Sequence, residues 1–245
     1  MQGISSVNNE KIKEKMKLQQ KKYRELSGQV LIEGYKIFLE AVKANAEILE
    51  ILLTKKELEK HNLSAYKDKI NLISDNVSKK LSFNQTSQNF FAVIKPREPK
   101  VESGSFLILD KIQDPQNLGA IIRTSVACNI KKIFLLDCVD EFNDKVIRAS
   151  MGNVFKVCFE KTEVENLKEI CKKTPVYCAD MFGENIFNLK QKPKVFGLIL
   201  GNEGNGVRSE VKNLASKTIS IPMQNNVESL NVAVSMAVIA YNLTN

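Results

Sequence analysis

The alternation of apolar runs and helical patterns after residue 105 is the feature that most constrains the fold of this chain. Apolar, β-branched runs predict strands at 106–109, 133–136, 176–179, 195–200 and 218–221, and helical spacing predicts helices near 117–128, 144–150 and 229–243. Strands this apolar are buried on both faces, as in a parallel sheet covered by helices. The pattern therefore predicts an α/β domain with a mostly parallel sheet.

A smaller domain is expected before this one. Residues 96–104 interrupt the apolar periodicity with prolines and alternating charges, which indicates a linker. Before it, helical spacing from Leu31 to Val42 alternates with β-branched runs at 48–53, 70–73 and 90–94. We therefore predict a small α/β domain over 25–95 and the larger domain over 105–245.

The positive charge of the chain is concentrated at its amino end. The net charge is +8, and residues 1–24 alone hold seven Lys or Arg against two Glu. Two interpretations of this basic N-terminal arm stay open. It is a frayed, solvated segment, or it binds a polyanion and gains affinity by releasing counterions from phosphates.

Membrane insertion and secretion are not expected. The longest nearly apolar run, 232–240, is too short to span a bilayer, and the amino end lacks the apolar core of a signal peptide. Five cysteines without a CxxC pair fit buried thiols in a reducing compartment. We expect a cytoplasmic protein.

The single histidine limits the catalytic schemes that are open to the chain. Unless His61 itself is central, Ser-His-Asp, Cys-His and multi-histidine zinc sites are excluded. The polar neighbours of His61 indicate a solvated turn, so no metal is expected.

Three polar clusters follow predicted strands. In the first, a strand ends, a proline-containing turn follows, and Asn117, Ala120 and Arg123 recur at intervals of three. This spacing predicts that Asn117 and Arg123 share a helix face near the carboxyl edge of the sheet, where open α/β proteins bind ligands. The alternative is a helix-capping Asn and a surface Arg.

The second cluster is a strand that enters a loop with glycines at 201, 204 and 206, which allows backbone amides to approach a ligand closely. A dinucleotide site would follow the first strand of its domain, so this late position argues against an ordinary Rossmann site.

The third cluster begins where a strand ends at Pro222. A polar loop follows, and Ser229 is expected to start a helix that is apolar almost all round. Such a helix must be buried against its own sheet and a second subunit. The alternative is that Ser229 only caps the helix and Asn231 is merely a polar residue in its first turn.

Together the clusters resemble the three motifs of the SpoU/TrmH branch of the SPOUT RNA 2'-O-ribose methyltransferases. The motifs are N-x-G-x-x-x-R at 117–123, L-G-x-E-G-x-G at 200–206, and I-P-M followed by S-L-N-V at 221–232. They occur in the family's order. Residues 28–95 also resemble the family's substrate-binding domain, which is similar to a ribosomal-protein fold.

The resemblance implies a trefoil-knotted catalytic domain that binds S-adenosylmethionine, acts on RNA and forms a homodimer through its C-terminal helix region. It implies a cofactor pocket formed by the second and third motifs. The implied cofactor-binding residues are Leu200, Gly201, Gly204, Ile221, Met223, Ser229 and Leu230.

The implied reaction is attack of a ribose 2'-hydroxyl on the sulfonium methyl group, with Arg123 as the candidate catalytic residue. An arginine stays charged in proteins, which favours a role in holding a phosphate and stabilising the oxyanion. Glu203 is expected to orient Arg123 or the motif loop, and Ser229 and Asn231 to place the ribose or the methionine moiety. The matching polar positions are Asn117, Glu203, Ser229 and Asn231.

One position departs from the family pattern. Asn225 stands where glycine is common, and because asparagine tolerates left-handed backbone, the loop is expected to keep its shape.

Three functions remain open at this point. Methylation of ribosomal RNA is favoured, because an amino-terminal domain of this size is typical of the ribosomal RNA members. The alternatives are methylation of transfer RNA and RNA binding without catalysis.

Overall fold

The computed structural model describes residues 3–101, 103–202, 204–225 and 227–244, which fall into two compact units. One unit contains the chain up to Arg97 together with Phe142–Phe155, and the other contains Glu98–Glu141 and the chain from Lys156 onward. Residues 142–155, expected in the carboxyl-terminal domain, therefore group with the first unit. No helix in the described part of the chain combines the length and apolarity that crossing a bilayer requires.

The first unit is an α/β fold on a mixed four-stranded sheet. Its elements are α1 Glu10–Lys17, α2 Lys21–Ser27, β1 Val30–Glu33, α3 Tyr35–Lys43, β2 Glu47–Leu53, α4 Lys55–Leu58, β3 Ile70–Leu72, α5 Asp75–Leu81 and β4 Phe90–Lys95. The strand order is β1-β4-β2-β3, in which β4 is antiparallel to both neighbours and β2 pairs with β3 in parallel. Leu31, which also fits the helical spacing, lies in β1, and Gly34 with a φ of 101° separates that strand from α3.

The basic amino-terminal segment is folded, which excludes the interpretation that it is a frayed, solvated arm. Residues 10–27 form α1 and α2, and Ile4 pairs with Ile73 beside β3. Ile12 is fully buried in the core of the first unit with Phe91 and Val77. The weak apolar stripe is sufficient because only one face of α1 has to pack, while Lys11, Lys13 and Lys17 remain in solvent.

His61 also differs from its expected solvated setting. Its ring stacks on Tyr35 with 3.6 Å between centroids, and Nε2 lies 2.9 Å from Glu57 Oε1. The side chain is only 16% exposed. His61 is therefore part of an aromatic cluster of the first unit.

The second unit is an α/β fold on a six-stranded sheet. Its elements are β5 Phe106–Asp110, α6 Pro115–Ala127, β6 Lys132–Leu136, β7 Cys158–Lys161, α8 Val164–Lys173, β8 Val176–Asn185, β9 Gly197–Gly201, α9 Ser209–Lys212, β10 Lys217–Ser220 and α10 Val232–Thr244, with α7 Asp144–Ala149 grouped in the first unit. The order is β10-β8-β9-β5-β6-β7, and every neighbouring pair is parallel. The predicted parallel sheet is confirmed, although β7 and α8 were not predicted.

The sheet of the second unit places the three polar clusters at one edge. Because all its strands are parallel, the ends of β5, β9 and β10 face the same side, and Asp110 of β5 is in register with Gly201 of β9. Each cluster begins where one of these strands ends. That edge is where ligands of open α/β sheets bind.

Candidate functional site

The first cluster is built on α6. Asp114 caps the helix by accepting a 2.8 Å hydrogen bond from the backbone N–H of Gln116, and Pro115 occupies the first turn, where its missing N–H has no helical partner to lose. This cap fixes the start of the helix directly after β5. Asn117 is buried and Arg123 is exposed.

The expectation that Asn117 and Arg123 share a helix face is wrong. Six residues of α-helix rotate the side-chain direction so that the two positions lie about 120° apart. Asn117 therefore faces the interior, whereas the Arg123 guanidinium lies in solvent. Among the described residues, nothing hydrogen-bonds or ion-pairs with Arg123, so its charge is available to an external anion.

The structure brings together two residues that the motifs placed 114 positions apart. Nδ2 of Asn231 donates a 2.9 Å hydrogen bond to Oδ1 of Asn117. Asn231 Oδ1 in turn accepts from the backbone N–H groups of Ala233 at 2.9 Å and Val234 at 3.4 Å. One amide side chain thus caps α10 and ties its start to α6.

Asn231, rather than Ser229, marks the start of the last helix. Helix α10 begins at Val232, and Ser229 is exposed in the segment without regular structure that precedes it. The expected start at Ser229 is wrong because Asn231 supplies the oxygen that caps the first turn. Ser229 remains free to face a ligand.

The glycine-rich cluster forms a tight hairpin after β9. The backbone N–H of Asn202 donates to Gly206 O at 3.1 Å, and Gly206 N–H donates to Asn202 O at 2.8 Å. A Cβ at Gly201 would collide with the backbone of Gly206, and Gly206 has a φ of 66°. These two glycines let the hairpin fold back on itself. Gly204 lies exposed at the turn, and the expected contribution of Glu203 falls outside the described residues.

Two residues that the sequence did not single out fix this hairpin to β5. Asp110, at the end of that strand, is completely buried and accepts three hydrogen bonds or ion-pair contacts from Arg208. Asn202 Nδ2 donates a further 3.0 Å bond to Lys111 O. An Asp that ends an otherwise apolar strand was the available signal, since such a carboxylate needs a partner when buried.

The third cluster follows β10 as a segment without helix or strand. Ile221, Met223 and Leu230 are half-buried. In the portion of the chain that the structure describes, the backbone amides of Met223 and Leu230 donate no hydrogen bond. Asn225 has a φ of 55°, so the predicted left-handed backbone at this asparagine is confirmed. The segment therefore contains half-buried apolar side chains and, among the described residues, backbone donors without a partner.

The thiol nearest this edge is not a nucleophile. Cys138 Sγ donates to Leu109 O at 3.2 Å, and burial raises the pKa of Cys138 to about 11. The thiol therefore stays neutral near pH 7. Within the described ranges, no group of three or more His, Cys, Asp or Glu side chains is arranged to hold a metal ion.

Comparison with known proteins defines the class. Residues 104–241 match the SpoU rRNA Methylase family, and residues 9–92 match the MRM3-like substrate binding domain. The chain therefore belongs to the SpoU family, and it is an RNA methyltransferase.

Individual relatives support this assignment along the whole chain. The chain is 30% identical over 252 residues to the 23S rRNA (guanosine(2553)-2'-O)-methyltransferase RlmP of Bacillus subtilis (strain 168), covering 99% of each protein. It is similar to a crystal structure of an RNA 2'-O ribose methyltransferase, with a TM-score of 0.84, 26% identity and coverage of 99% and 98%. An AdoMet-bound rRNA methyltransferase from Sinorhizobium meliloti shares the fold, with a TM-score of 0.86, 23% identity and coverage of 99% and 97%.

Proposed function

We propose that this protein transfers the methyl group of S-adenosylmethionine to a ribose 2'-hydroxyl of ribosomal RNA. The observation that carries the proposal is the Asn117–Asn231 hydrogen bond, which joins the first and third motifs. The relative RlmP, matched over nearly its full length, is named for this reaction on a guanosine of 23S rRNA. A guanosine of the large ribosomal RNA is therefore the first substrate to test.

The third cluster fits the cofactor. A neutral adenine is recognised by backbone hydrogen-bond donors and acceptors in an apolar slot. We assign this role to the amides of Met223 and Leu230, the half-buried side chain of Ile221 and the backbone of Leu200 and Gly201. When bound, S-adenosylmethionine supplies a sulfonium methyl group as the electrophile. Gly204 keeps the hairpin turn free of side-chain atoms, and Ser229 offers a hydroxyl to the ribose or the methionine moiety.

Arg123 is assigned to the RNA side of the site. Its exposed guanidinium can form a bidentate contact with the phosphate next to the target ribose and stabilise charge that develops on the 2'-oxygen. Because an arginine stays charged, it does not take up the 2'-hydroxyl proton. We assign that proton to the adjacent phosphate, and breaking of the S–CH3 bond leaves the thioether S-adenosylhomocysteine. Asn117 holds Asn231 in place, and Glu203 is assigned the orienting role that the motif implies.

Ribosomal RNA is favoured over transfer RNA by the first unit, because residues 9–92 match a substrate-binding domain. The deciding experiment is mass-spectrometric mapping of 2'-O-methylated nucleotides in total RNA from cells with and without this protein. A mark that disappears from ribosomal RNA and is restored by the wild type, but not by Arg123→Ala, supports the proposal. Loss confined to transfer RNA favours the second candidate, and an unchanged set of marks favours an RNA binder without catalysis.

We also propose a homodimer through the C-terminal helix region. Helix α10 buries Met236, Ile239 and Leu243 in its own unit, yet Val234 and Tyr241, seven positions apart on one face, are 48% and 50% exposed. The apolar sequence of the helix requires burial on every side, and a single chain does not provide it. A second copy of the same face would cover these side chains in a closed, isologous interface.

The dimer is tested by Val234→Glu. We expect light scattering to show a dimer for the wild type at micromolar concentration and a monomer for this variant, because a charge buried in the interface would be unpaired. The control is Leu26→Glu in the first unit, where Leu26 is 75% exposed. A monomeric, fully active wild type would refute the dimer.

A trefoil knot and a cytoplasmic location complete the proposal. The family resemblance of residues 104–241 supports the knot. Tracing the chain from β8 to α10 in an experimental density map tests it. All five cysteines are free thiols, which supports a reducing compartment. Fractionation of cells that express a tagged chain tests the location.

A further inference from the structure

The ion pair between Asp110 and Arg208 attaches the end of the glycine hairpin to the last residue of β5. The Asp110 carboxylate is completely buried, and Arg208 approaches it with its backbone N–H, its Nε and its Nη2, each at 2.8 Å. The two residues are 98 positions apart in sequence. Three donors on one buried carboxylate make a geometrically specific contact, as expected of an arginine fork.

Both ends of the hairpin are attached to the same strand residue. Gly201, at its start, is in register with Asp110 through the β5–β9 pairing, and Arg208, at its end, bonds to the Asp110 side chain. Between them, the bond from Asn202 to Lys111 O adds a third attachment. The hairpin is therefore held at two points by Asp110 of β5 and at a third by Lys111, the residue after that strand, although its own glycines would leave it flexible.

The surroundings of Arg208 argue against a direct role in RNA binding. Besides Asp110, Glu210 Oε1 lies 3.0 Å and Asp137 Oδ2 lies 3.6 Å from Nη1. Three carboxylates around one guanidinium leave no net positive charge to attract a phosphate. The residue is thus suited to holding protein structure rather than substrate.

We propose that Arg208 is a positioning residue that, held by Asp110, keeps the 201–208 hairpin in the shape that binds the cofactor. The inference rests on the proposed function in one respect, namely that this hairpin contributes to the S-adenosylmethionine pocket. Removing the ion pair between Asp110 and Arg208, which we call the clamp, should therefore weaken cofactor binding. The transfer step, which we assign to Arg123, should continue once the cofactor is saturating.

The test compares Arg208→Gln and Arg208→Lys with Lys212→Gln, which removes a surface ion pair to Asp180 in the same unit. Hydrogen exchange is measured on the proteins without cofactor. We expect faster exchange of the amides in 202–208 for Arg208→Gln, a smaller increase for Arg208→Lys, and no change for Lys212→Gln. Unchanged exchange in 202–208 for Arg208→Gln would overturn the clamp.

Cofactor titration and steady-state kinetics test whether the clamp serves cofactor binding. For Arg208→Gln we expect a 10- to 100-fold rise in both the Kd and the KM for S-adenosylmethionine, with kcat within threefold of the wild type. A merely structural role would lower kcat through loss of folded protein and leave KM unchanged, and that result would overturn the proposal. If the wild type binds no S-adenosylmethionine, the proposed function fails, whereas the hydrogen-exchange result still decides the clamp.

A double variant that leaves the buried site without charge provides a second test of the clamp. If Arg208→Gln does not fold, the double variant Asp110→Asn/Arg208→Gln carries no unpaired buried charge and takes its place. Weak cofactor binding by the folded double variant supports the clamp, and wild-type affinity contradicts it.

Discussion

The amide of Asn231 should stabilise the second unit by two separable contacts. Asn231→Ala removes the cap of α10, which is worth about 1 kcal/mol, and the hydrogen bond to Asn117, which is worth about 1 kcal/mol. Asn117 takes part in another interaction as well, so Asn231→Ala removes one of its contacts and does not leave its side chain without a partner. We expect a decrease of about 2 kcal/mol in the free energy of unfolding, equivalent to about 4–8 °C in Tm for a chain of this size.

Asn231→Ser separates the two contacts. The serine hydroxyl can still cap the helix but cannot reach Asn117 as an amide donor, so we expect a decrease of about 1 kcal/mol. The matched control is Asn143→Ala, which removes only a cap, because Asn143 Oδ1 accepts from Lys145 N–H at the start of α7. Urea unfolding followed by circular dichroism measures each free energy.

A double-mutant cycle isolates the bond between the motifs. Combining Asn231→Ala with Asn117→Ala should give a coupling energy of about 1 kcal/mol, whereas Asn143→Ala with Asn117→Ala should be additive. Equal stability of Asn231→Ala and Asn231→Ser would refute the contribution of the cap, and wild-type stability of Asn231→Ser would refute a separate contribution of the bond to Asn117. Coupling below about 0.3 kcal/mol would refute it as well.

Three further predictions concern the site, the basic segment and the core. Arg123→Ala should lower methyl transfer at least 100-fold in a tritiated-methyl assay while the Kd for S-adenosylmethionine, measured by calorimetry, stays within threefold, and activity near the wild-type level would contradict its role. Replacing the exposed Lys11, Lys17 and Lys22 by Gln should reduce the slope of log affinity for RNA against log salt by about 0.7–0.9 for each phosphate that is no longer neutralised, whereas the same change at Lys168, Lys172 and Lys173 on α8 serves as control. Burial raises the pKa of Cys178 to about 11 from an ordinary value of 9.0, so above pH 9 the thiol ionises in the unfolded chain before it does in the folded one. Relative to Cys178→Val, the wild type should therefore lose about 2 kcal/mol of unfolding free energy by pH 11, with no such decrease below pH 8. Parallel curves of unfolding free energy against pH for the two proteins would contradict this.

The basic segment cannot be deleted without disturbing the core of the first unit. Deletion of residues 1–24 would test RNA binding only if the segment were a solvated arm. Because Ile12 is fully buried and Arg24 Nη1 donates to Leu18 O at 2.8 Å, the deletion would instead open the core of the first unit. Lysine substitutions on the exposed faces of α1 and α2 change the charge and leave this packing in place.

The sequence predicted the sheet of the second unit well because buried parallel strands are continuous apolar runs. Strands β5, β6 and β9 begin and end within two residues of their expected bounds. Strand β7 was missed because Glu160 and Lys161 are exposed at the sheet edge and interrupt the apolar pattern. Helix α8 was missed because it buries only Val164 and Leu167, which is too narrow a stripe to stand out.

The candidate site could be predicted only as a set of residue types. Motif spacing identified Asn117 and Asn231, but their hydrogen bond joins positions 114 residues apart and depends on where the sheet order brings α6 and α10. The pair of Asp110 and Arg208 depends on the same topology, since β9 lies beside β5 although several helices and strands separate them along the chain.

Local rules failed where a side chain has two possible partners. A serine and an asparagine both suit a helix cap, and in the structure it is Asn231, bonded also to Asn117, that caps α10, whereas Ser229 precedes the helix. Asn231 Oδ1 accepts from the helix and one Nδ2 N–H donates to α6, so a single N–H of this exposed amide is left for a ligand. The motif position that most resembles a substrate contact therefore also holds α10 in place, and within the described part of the chain Ser229 and Arg123 are exposed motif side chains without a hydrogen bond to the protein.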